Sequence, residues 1–414
     1  MTENTKELRK ETLKYIEEED IKKRKKLGQY FTKKSIREKL IHRLPKKLLK
    51  KEQLKILDPG CGTGEFLISC KKHFEKPNLF GWDIDKKVLD IAKKIVPEAE
   101  LSWRDTLKFD CNEKFDLIIG NPPYFEFKLD NNLKKLYKEV IKGRTNIYGL
   151  FIYKCLKMLK EDGYLAFVIP PSMNNGAYFS KLRKYIIENT NIEYLELLES
   201  SLYFKGANQT VMLLILKKGT NRGDYIFKKN GITIFSEDVT LLENAFDGTV
   251  SLKEMGYSVK TGKIVWNKNK ENLTDDDSKI LLIWSHNITK EGLKLNNKDS
   301  DIKKQYIDKK DYNVGPAIVV NRVIGKPGNS KIKAAFIPKG KKFLAENHVN
   351  VIFPPKHSKN LTNDYKSNIT PRLNINEVLK QLKSKEKIKV IRNITGNTQI
   401  SKKELENLFP FDNI

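Results

Sequence analysis

The sequence predicts an α/β protein: a mostly parallel sheet with helices on both faces, followed by a C-terminal domain of mixed α+β character. Two observations carry that expectation. From about residue 54 to about residue 217, short apolar runs of strand length alternate with segments of helical periodicity. Strands that alternate with helices pair in parallel, because each return crossover lays a helix over a sheet face. Beyond residue 219 that alternation stops and isolated β-type runs stand in irregular sequence.

Taken in order, residues 1–26 are dominated by Lys and Glu, with apolar positions scattered at Leu8, Leu13, Ile16 and Ile21, and read as an exposed, charged helix. Leu54 to Asp58 is a short apolar run ending in an acid. A glycine-rich turn follows, and then the apolar stretch Phe66 to Phe74. Asn78 to Asp83 is a second strand, with a helical pattern after it through Ile91 and Ile95. Phe115 to Gly120 is a third clear strand. Ile147 to Leu159 has helical periodicity, and Tyr164 to Ile169 is a strand after the turn Glu161-Asp162-Gly163. Tyr178 to Ile187 reads as a helix, and Ile192 to Leu198 and Val211 to Leu216 as strands. The polar stretch from Lys217 to Gly223 marks a boundary, so the expected division is 1–26, 27–218 and 219–414. In the last region Ala317 to Val320 and Lys331 to Ile337 are β-type runs, with a turn or loop from Gly325 to Ser330 between them.

Composition bounds the partners. With 79 Lys and Arg against 52 Asp and Glu, the 414 residues carry a net charge of +27. A charge of that size draws polyanions by long-range attraction and counterion release, which favours nucleic acid, although a lysine-rich surface also serves solubility. Cys61, Cys70, Cys111 and Cys155 form no C-x-x-C pair and have no His cluster beside them. They read as reduced core thiols, and no metal site is expected. The N-terminus lacks an apolar signal region and no apolar run reaches the ~18 residues of a membrane span, so a soluble cytoplasmic protein is expected.

The first chemical motif is Asp58-Pro59-Gly60-Cys61-Gly62-Thr63-Gly64, between a strand and a helix. Glycines there permit a tight turn and the close approach of a ligand to the backbone. No Gly-Lys-Ser/Thr follows, and the spacing departs from the dinucleotide fingerprint, so S-adenosylmethionine, which has no phosphate, fits best. Asp83, ending the next strand, is placed to accept hydrogen bonds from two ribose hydroxyls. Asp105, further on, is placed to accept one from an adenine amino group.

The second motif is Asn121-Pro122-Pro123-Tyr124, directly after the strand ending at Gly120. An exocyclic amine on a base is a poor nucleophile because its lone pair is delocalised into the ring. The Asn121 side-chain oxygen and the Pro122 carbonyl can accept its two N–H groups and draw the nitrogen toward tetrahedral geometry. Pro122 and Pro123 stiffen the corner, and Tyr124 offers a flat face for the base. Direct in-line methyl transfer then needs positioning and electrostatics, without metal or covalent intermediate.

Together these residues resemble the amino-methyltransferases of DNA, specifically the gamma-type adenine-N6 enzymes of bacterial restriction–modification systems. The motif order is the same: Leu27-Gly28-Gln29-Tyr30-Phe31-Thr32, the glycine turn, Asn-Pro-Pro-Tyr, then a C-terminal recognition region. The resemblance covers residues 25–217 well and the remainder loosely. Lys33 stands where the family often has Pro. It implies a Rossmann-like, S-adenosylmethionine-dependent methyltransferase sheet followed by a target-recognition domain. It also implies donor contacts from Tyr30, Thr32, Asp58, Pro59, Gly60, Gly62, Asp83, Ile84, Asp105, Asn121 and Phe151, and contacts of Tyr124 and Phe204 with a target base flipped out of duplex DNA. Phe151 and Phe204 also suit burial in a core. Asn rather than Ser at position 121 goes in the family with adenine rather than cytosine-N4. The same tetrapeptide occurs in enzymes that methylate protein glutamine or amino groups of RNA, which usually lack a long C-terminal domain. A non-catalytic DNA-binding specificity subunit is a third reading. The long basic C-terminal region, with Trp266, Trp284, Tyr312 and Arg322 interspersed, favours a DNA-reading domain. A separately acting cognate restriction endonuclease and a monomeric state fit this reading.

Overall fold

The computed structural model describes residues 7–198, 211–296, 303–322, 332–355, 373–395 and 400–413. The chain divides into two compact units, residues 1–226 with 235–237, and residues 227–234 with 238–414. No helix among the described residues is long and apolar enough to cross a membrane.

The first unit opens with helices α1 (Lys10–Glu18), α2 (Ile21–Leu27), α3 (Lys34–His42) and α4 (Lys46–Leu49). There follow β1 (Lys55–Asp58), α5 (Glu65–His73), β2 (Asn78–Asp83), α6 (Lys86–Ile95), β3 (Glu100–Trp103), β4 (Phe115–Gly120), α7 (Asn131–Leu136) and α8 (Ile147–Met158). The unit closes with β5 (Leu159–Ile169), α9 (Ser180–Asn189), β6 (Thr190–Leu198) and β7 (Val211–Lys218). The seven strands form one sheet in the order β3-β2-β1-β4-β5-β7-β6. All neighbours are parallel except β7, which pairs antiparallel with both β5 and β6.

The period-2 alternation of the strands explains why both faces are covered. Leu57, Ile118, Leu165, Phe167, Ile169, Met212 and Leu214 point into one apolar cluster, with Ile152 and Leu156 of α8 and Leu182 and Ile186 of α9. Ile56, Leu117, Ile119, Ala166, Val168, Leu213 and Ile215 point into the other, with Ile36 and Leu40 of α3 and Leu67 of α5.

Four details depart from the sequence reading. The N-terminal region is two helices rather than one, and α1 is not simply exposed: Thr12 and Tyr15 are buried. Strand β3, whose residues are only half covered, carries too weak an apolar signal to be read in advance. Strand β5 begins at Leu159, so Glu161-Asp162-Gly163 lies within it, with Asp162 at φ 60°. All four cysteines are free, but Cys111 is only half-buried.

The second unit is mixed α and β. One four-stranded antiparallel sheet has the order Ser258–Thr261, Val349–Phe353, Ala317–Asn321, Ala334–Ile337. A five-stranded sheet contains one parallel pair, Ile280–Ile283 with Lys342–Ala345. Helices Ile375–Leu382 and Lys402–Asn407 supply Val378, Leu382 and Leu405 to a core with Ile318, Val320 and Ile352. The expected loop from Gly325 to Ser330 lies outside the described residues. Trp284, one of the aromatics that suited DNA reading, is fully buried and donates its indole N–H to the Lys304 carbonyl at 3.0 Å, which makes it a core residue. Trp266 is half-buried, and Tyr312 is exposed with Lys342 Nζ 4.8 Å from its ring centroid. Arg322 donates to the Asn347 carbonyl at 3.0 Å.

Candidate active site

Strand order reverses between β1 and β4, and a crevice opens beyond the carboxyl ends of parallel strands at such a point. Asp58 ends β1 and Asn121 follows β4, so both motifs meet there. The crevice holds a cavity of about 380 Å³, within the roughly 300–1,000 Å³ of small-molecule sites. Tyr30, Thr32, Asp58, Pro59, Gly60, Gly62, Asp83, Ile84, Asp105, Asn121, Pro123 and Phe151 all line it. Pro122 and Tyr124 do not, although the Tyr124 hydroxyl reaches the Asn121 side-chain oxygen. Phe204 lies outside the described residues.

The glycine turn is built by left-handed backbone. Gly62 has φ 52° and Gly64, which caps α5, has φ 85°, conformations a side chain rarely tolerates. The turn is held from both sides by carboxylates. Gly60 N–H donates to Asp58 Oδ1 at 3.2 Å, and Gly62 N–H donates to Asp83 Oδ2 at 2.8 Å. Asp85 N–H donates to the other Asp83 oxygen at 2.9 Å. Burial pushes the Asp58 carboxyl up to about 8, with the neighbouring Asp83 charge adding to it. Burial likewise pushes Asp83 up to about 6, against the lowering effect of the backbone N–H groups of Asp85, Gly62 and Ile84. Gly120 is required beside Asp58, since a Cβ there would lie 2.6 Å from Asp58 Oδ1.

The far wall is less regular. Trp103 donates its indole N–H to the Ile84 carbonyl at 2.8 Å and so fixes the exposed Ile84 at the rim. Asp105 Oδ1 accepts the Leu107 N–H at 3.1 Å, and its second oxygen is 3.6 Å from Lys108 Nζ. Thr106 donates to the Pro59 carbonyl at 2.6 Å, tying this loop to the glycine turn. Phe151 is both core and wall: it is 7% exposed, and a Cβ on Gly60 would stand 3.8 Å from its ring.

At the Asn-Pro-Pro-Tyr corner the orientation of the Asn121 amide is fixed by its partners. Its nitrogen donates to the Tyr30 carbonyl at 2.9 Å and to the Thr32 hydroxyl at 3.0 Å. Both N–H bonds are thereby used, and a flipped amide would set its oxygen against the Tyr30 carbonyl. What the corner presents is the amide oxygen, an acceptor. The Tyr124 hydroxyl has one proton for two acceptors, Asn121 Oδ1 and the Val168 carbonyl, the latter at 2.6 Å. The Tyr124 ring lies nearly parallel to that of Tyr30, with centroids 6.2 Å apart at 14°.

Several residues at this site were not singled out in the sequence. Arg37, buried, donates to the Thr32 carbonyl, to Ser69 Oγ at 2.9 Å and to Glu65 Oε2 at 2.9 Å. It thus steadies the segment that holds Asn121. Gln29, Phe31, Thr63, Glu65, Arg104, Thr106, Phe125 and Phe127 also line the cavity. Gln29 and Phe31 lie inside the quoted Gly-Gln-Tyr-Phe-Thr segment and Thr63 inside the quoted glycine turn, and those two motifs were the available signals. Arg37 lies on a helix with nothing in its spacing to mark it.

Residues 82–204 match the family described as Eco57I restriction-modification methylase. The chain is 30% identical over 349 residues to the modification methylase CviBIII of Paramecium bursaria Chlorella virus NC1A, covering 80% of this chain and 84% of the relative. It is also 30% identical over 289 residues to the type II methyltransferase M.CvrRI of Paramecium bursaria Chlorella virus XZ-6E, covering 67% of this chain and 73% of that one. Among solved structures, the M protein of the type I restriction enzyme EcoKI aligns over 47% of this chain and 44% of its own length, with 18% identity and a TM-score of 0.39. A strand order that opens a cavity at its switch point, two motifs meeting there, and relatives matched over most of their length place the chain among the site-specific type II DNA methyltransferases of restriction–modification systems, which take their methyl group from S-adenosylmethionine.

Proposed function

We propose that the chain methylates the N6 amino group of adenine in duplex DNA at one short sequence. The observation that carries this reading is the Asn121 amide, whose nitrogen is fully engaged and whose oxygen remains as an acceptor at the cavity. An amino group offers two N–H donors, and Asn121 Oδ1 with the Pro122 carbonyl supplies two matching acceptors. Accepting both bonds localises the nitrogen lone pair, and the prolines hold the acceptors still while it happens. S-adenosylmethionine supplies the methyl group on a sulfonium centre. Asp83 holds the ribose through its carboxylate, Asp105 reads the adenine amino group, and Ile84 and Phe151 pack on the adenine ring. Thr32 and Tyr30 hold Asn121 and close the methionine end.

The target base cannot reach Asn121 while stacked in the duplex, so it is flipped out at a cost of a few kcal/mol, which stacking on Tyr124 offsets by ~1–3 kcal/mol. Asn121 favours adenine over cytosine, since Ser occupies that position in cytosine-N4 enzymes of the family. The region 219–414 is assigned to target recognition, and the chain to a monomer that modifies without cleaving, beside a separate endonuclease. The test is methyl transfer from labelled S-adenosylmethionine to duplex DNA, RNA and protein in parallel, with nucleoside analysis of the product. The expected result is N6-methyladenine in DNA alone. Label in RNA or glutamine, or N4-methylcytosine in DNA, would overturn it.

A further inference from the structure

Helix α1 has two buried side chains, Thr12 and Tyr15, three residues apart and so on one face. Neither packs into an apolar core cluster of the unit. Instead they reach polar partners on the three segments that shape the cavity. Thr12 Oγ1 donates to Glu65 Oε1 at 2.8 Å and lies 2.8 Å from Thr63 Oγ1, at the end of the glycine turn. The Arg9 N–H, just before the helix, donates to the same Glu65 oxygen at 2.8 Å. The Tyr15 hydroxyl is 2.9 Å from Gln29 Oε1 and 3.3 Å from Asp85 Oδ2, and Gln29 Nε2 donates to that Asp85 oxygen at 3.0 Å. Asp85 is the residue whose N–H holds Asp83. The Tyr15 ring meets Phe31 edge-on, with centroids 5.9 Å apart. One helical face thus ties together the glycine turn, the end of β2 and the Gly-Gln-Tyr-Phe-Thr segment.

We infer that α1 is part of the donor site, with Thr12 and Tyr15 as positioning residues that set the three donor-binding segments relative to one another. This rests on reading the cavity as the donor site. Gln29, Thr63 and Asp85 lie outside helices and strands, and loop positions open at low cost unless an outside element fixes them. Burial, with Asp85 adjacent, pushes the Tyr15 phenol up, so it stays protonated and a donor through the working range. A hydrogen bond from a neutral hydroxyl to a carboxylate is of the stronger kind, which makes Thr12–Glu65 one fixed point. The other is the Tyr15–Gln29–Asp85 chain, in which Tyr15 donates to Gln29 at 2.9 Å and Gln29 donates to Asp85 at 3.0 Å.

The experiment is calorimetric binding of S-adenosylmethionine to the full chain and to Tyr15→Phe, Thr12→Val and Thr12→Ser, with steady-state kinetics on DNA. Tyr15→Phe and Thr12→Val are expected to raise the Kd and KM for the donor roughly tenfold, on the scale of one charge-assisted hydrogen bond. Both leave kcat at saturating donor and the KM for DNA within about twofold, and Thr12→Ser restores donor affinity. Unchanged donor affinity in Tyr15→Phe and Thr12→Val, with wild type binding normally, overturns this inference alone. So does a fall in kcat and donor affinity together that Thr12→Ser does not rescue. A wild-type chain that binds no donor overturns the reading of the cavity itself.

Discussion

In the first unit, Asp58 is 2% exposed and Asp83 half-buried, and the donors they accept from are backbone N–H groups of the turns around a cavity. In the second unit, Asn287 and Gln305 are just as deeply buried, but they satisfy one another. Asn287 Oδ1 accepts from the Trp284 N–H at 2.9 Å and from Gln305 Nε2 at 3.1 Å. Asn287 Nδ2 donates to the Lys294 carbonyl at 2.9 Å, and Gln305 Nε2 also donates to the Leu282 carbonyl at 2.6 Å. Burying neutral amides that complete each other costs little and fixes a loop. Burying carboxylates beside open space is expensive, and the raised carboxyls of Asp58 and Asp83 record that expense. On the proposed reading, the difference separates a polar network built for structure from one left incomplete for a ligand.

That contrast can be broken at each end. Asn121→Ala removes the proposed acceptor of the Asn-Pro-Pro-Tyr corner and is expected to lower kcat roughly a thousandfold while leaving the donor Kd within about threefold, measured by single-turnover kinetics and calorimetry. Trp284→Ala empties a fully buried aromatic site in the second unit and is expected to cost about 3–5 kcal/mol in urea unfolding. The donor Kd stays at its wild-type value, and a Kd that moved with it would erase the distinction between the two networks. Asp83→Ala is expected to weaken donor binding about a hundredfold, the scale of two hydrogen bonds to a charged group. An unchanged Kd would remove Asp83 from the site.

The smallest effect is on pH. Both carboxyls titrate higher in the folded chain than their ordinary value of 3.8. The folded state therefore binds protons more tightly, from about pH 4 up to about 6 for Asp83 and about 8 for Asp58. The stability of the donor-free chain accordingly falls as pH rises through those windows. On the proposed ribose-binding role of Asp83, donor binding is expected to run the opposite way, because only an ionised carboxylate accepts two hydroxyls. The expected affinity is flat above about pH 7 and falls up to tenfold per unit below about 6. Thermal melts and calorimetry between pH 5 and 8 check both signs, and Asp58→Asn should flatten the melts.

The parallel sheet was legible because its central strands hold short apolar runs, as in Leu117-Ile118-Ile119, and because Gly62, Gly64 and the prolines have conformational reasons to stand where they do. Strand β3 escaped because an edge strand with half-covered residues carries little apolar signal. Helix α1 was misread as simply exposed, since Thr12 and Tyr15 are buried by polar partners 14 to 70 residues away, which no local periodicity encodes. Arg37 and Glu65 were invisible for the same reason: their pairing is a tertiary fact. Trp284 was ambiguous in sequence because an aromatic among lysines suits both a core and a DNA surface.

Sequencing the genome of a methylation-free host that expresses this chain, beside one that expresses Asn121→Ala, reaches the proposed chemistry without assuming a target. The wild-type genome should carry N6-methyladenine at one recurring short sequence and the variant's should carry none. Unmodified adenines with the wild-type chain present, methylated cytosines instead, or equal modification by both chains would contradict the assignment of Asn121 as the acceptor that readies an adenine amino group.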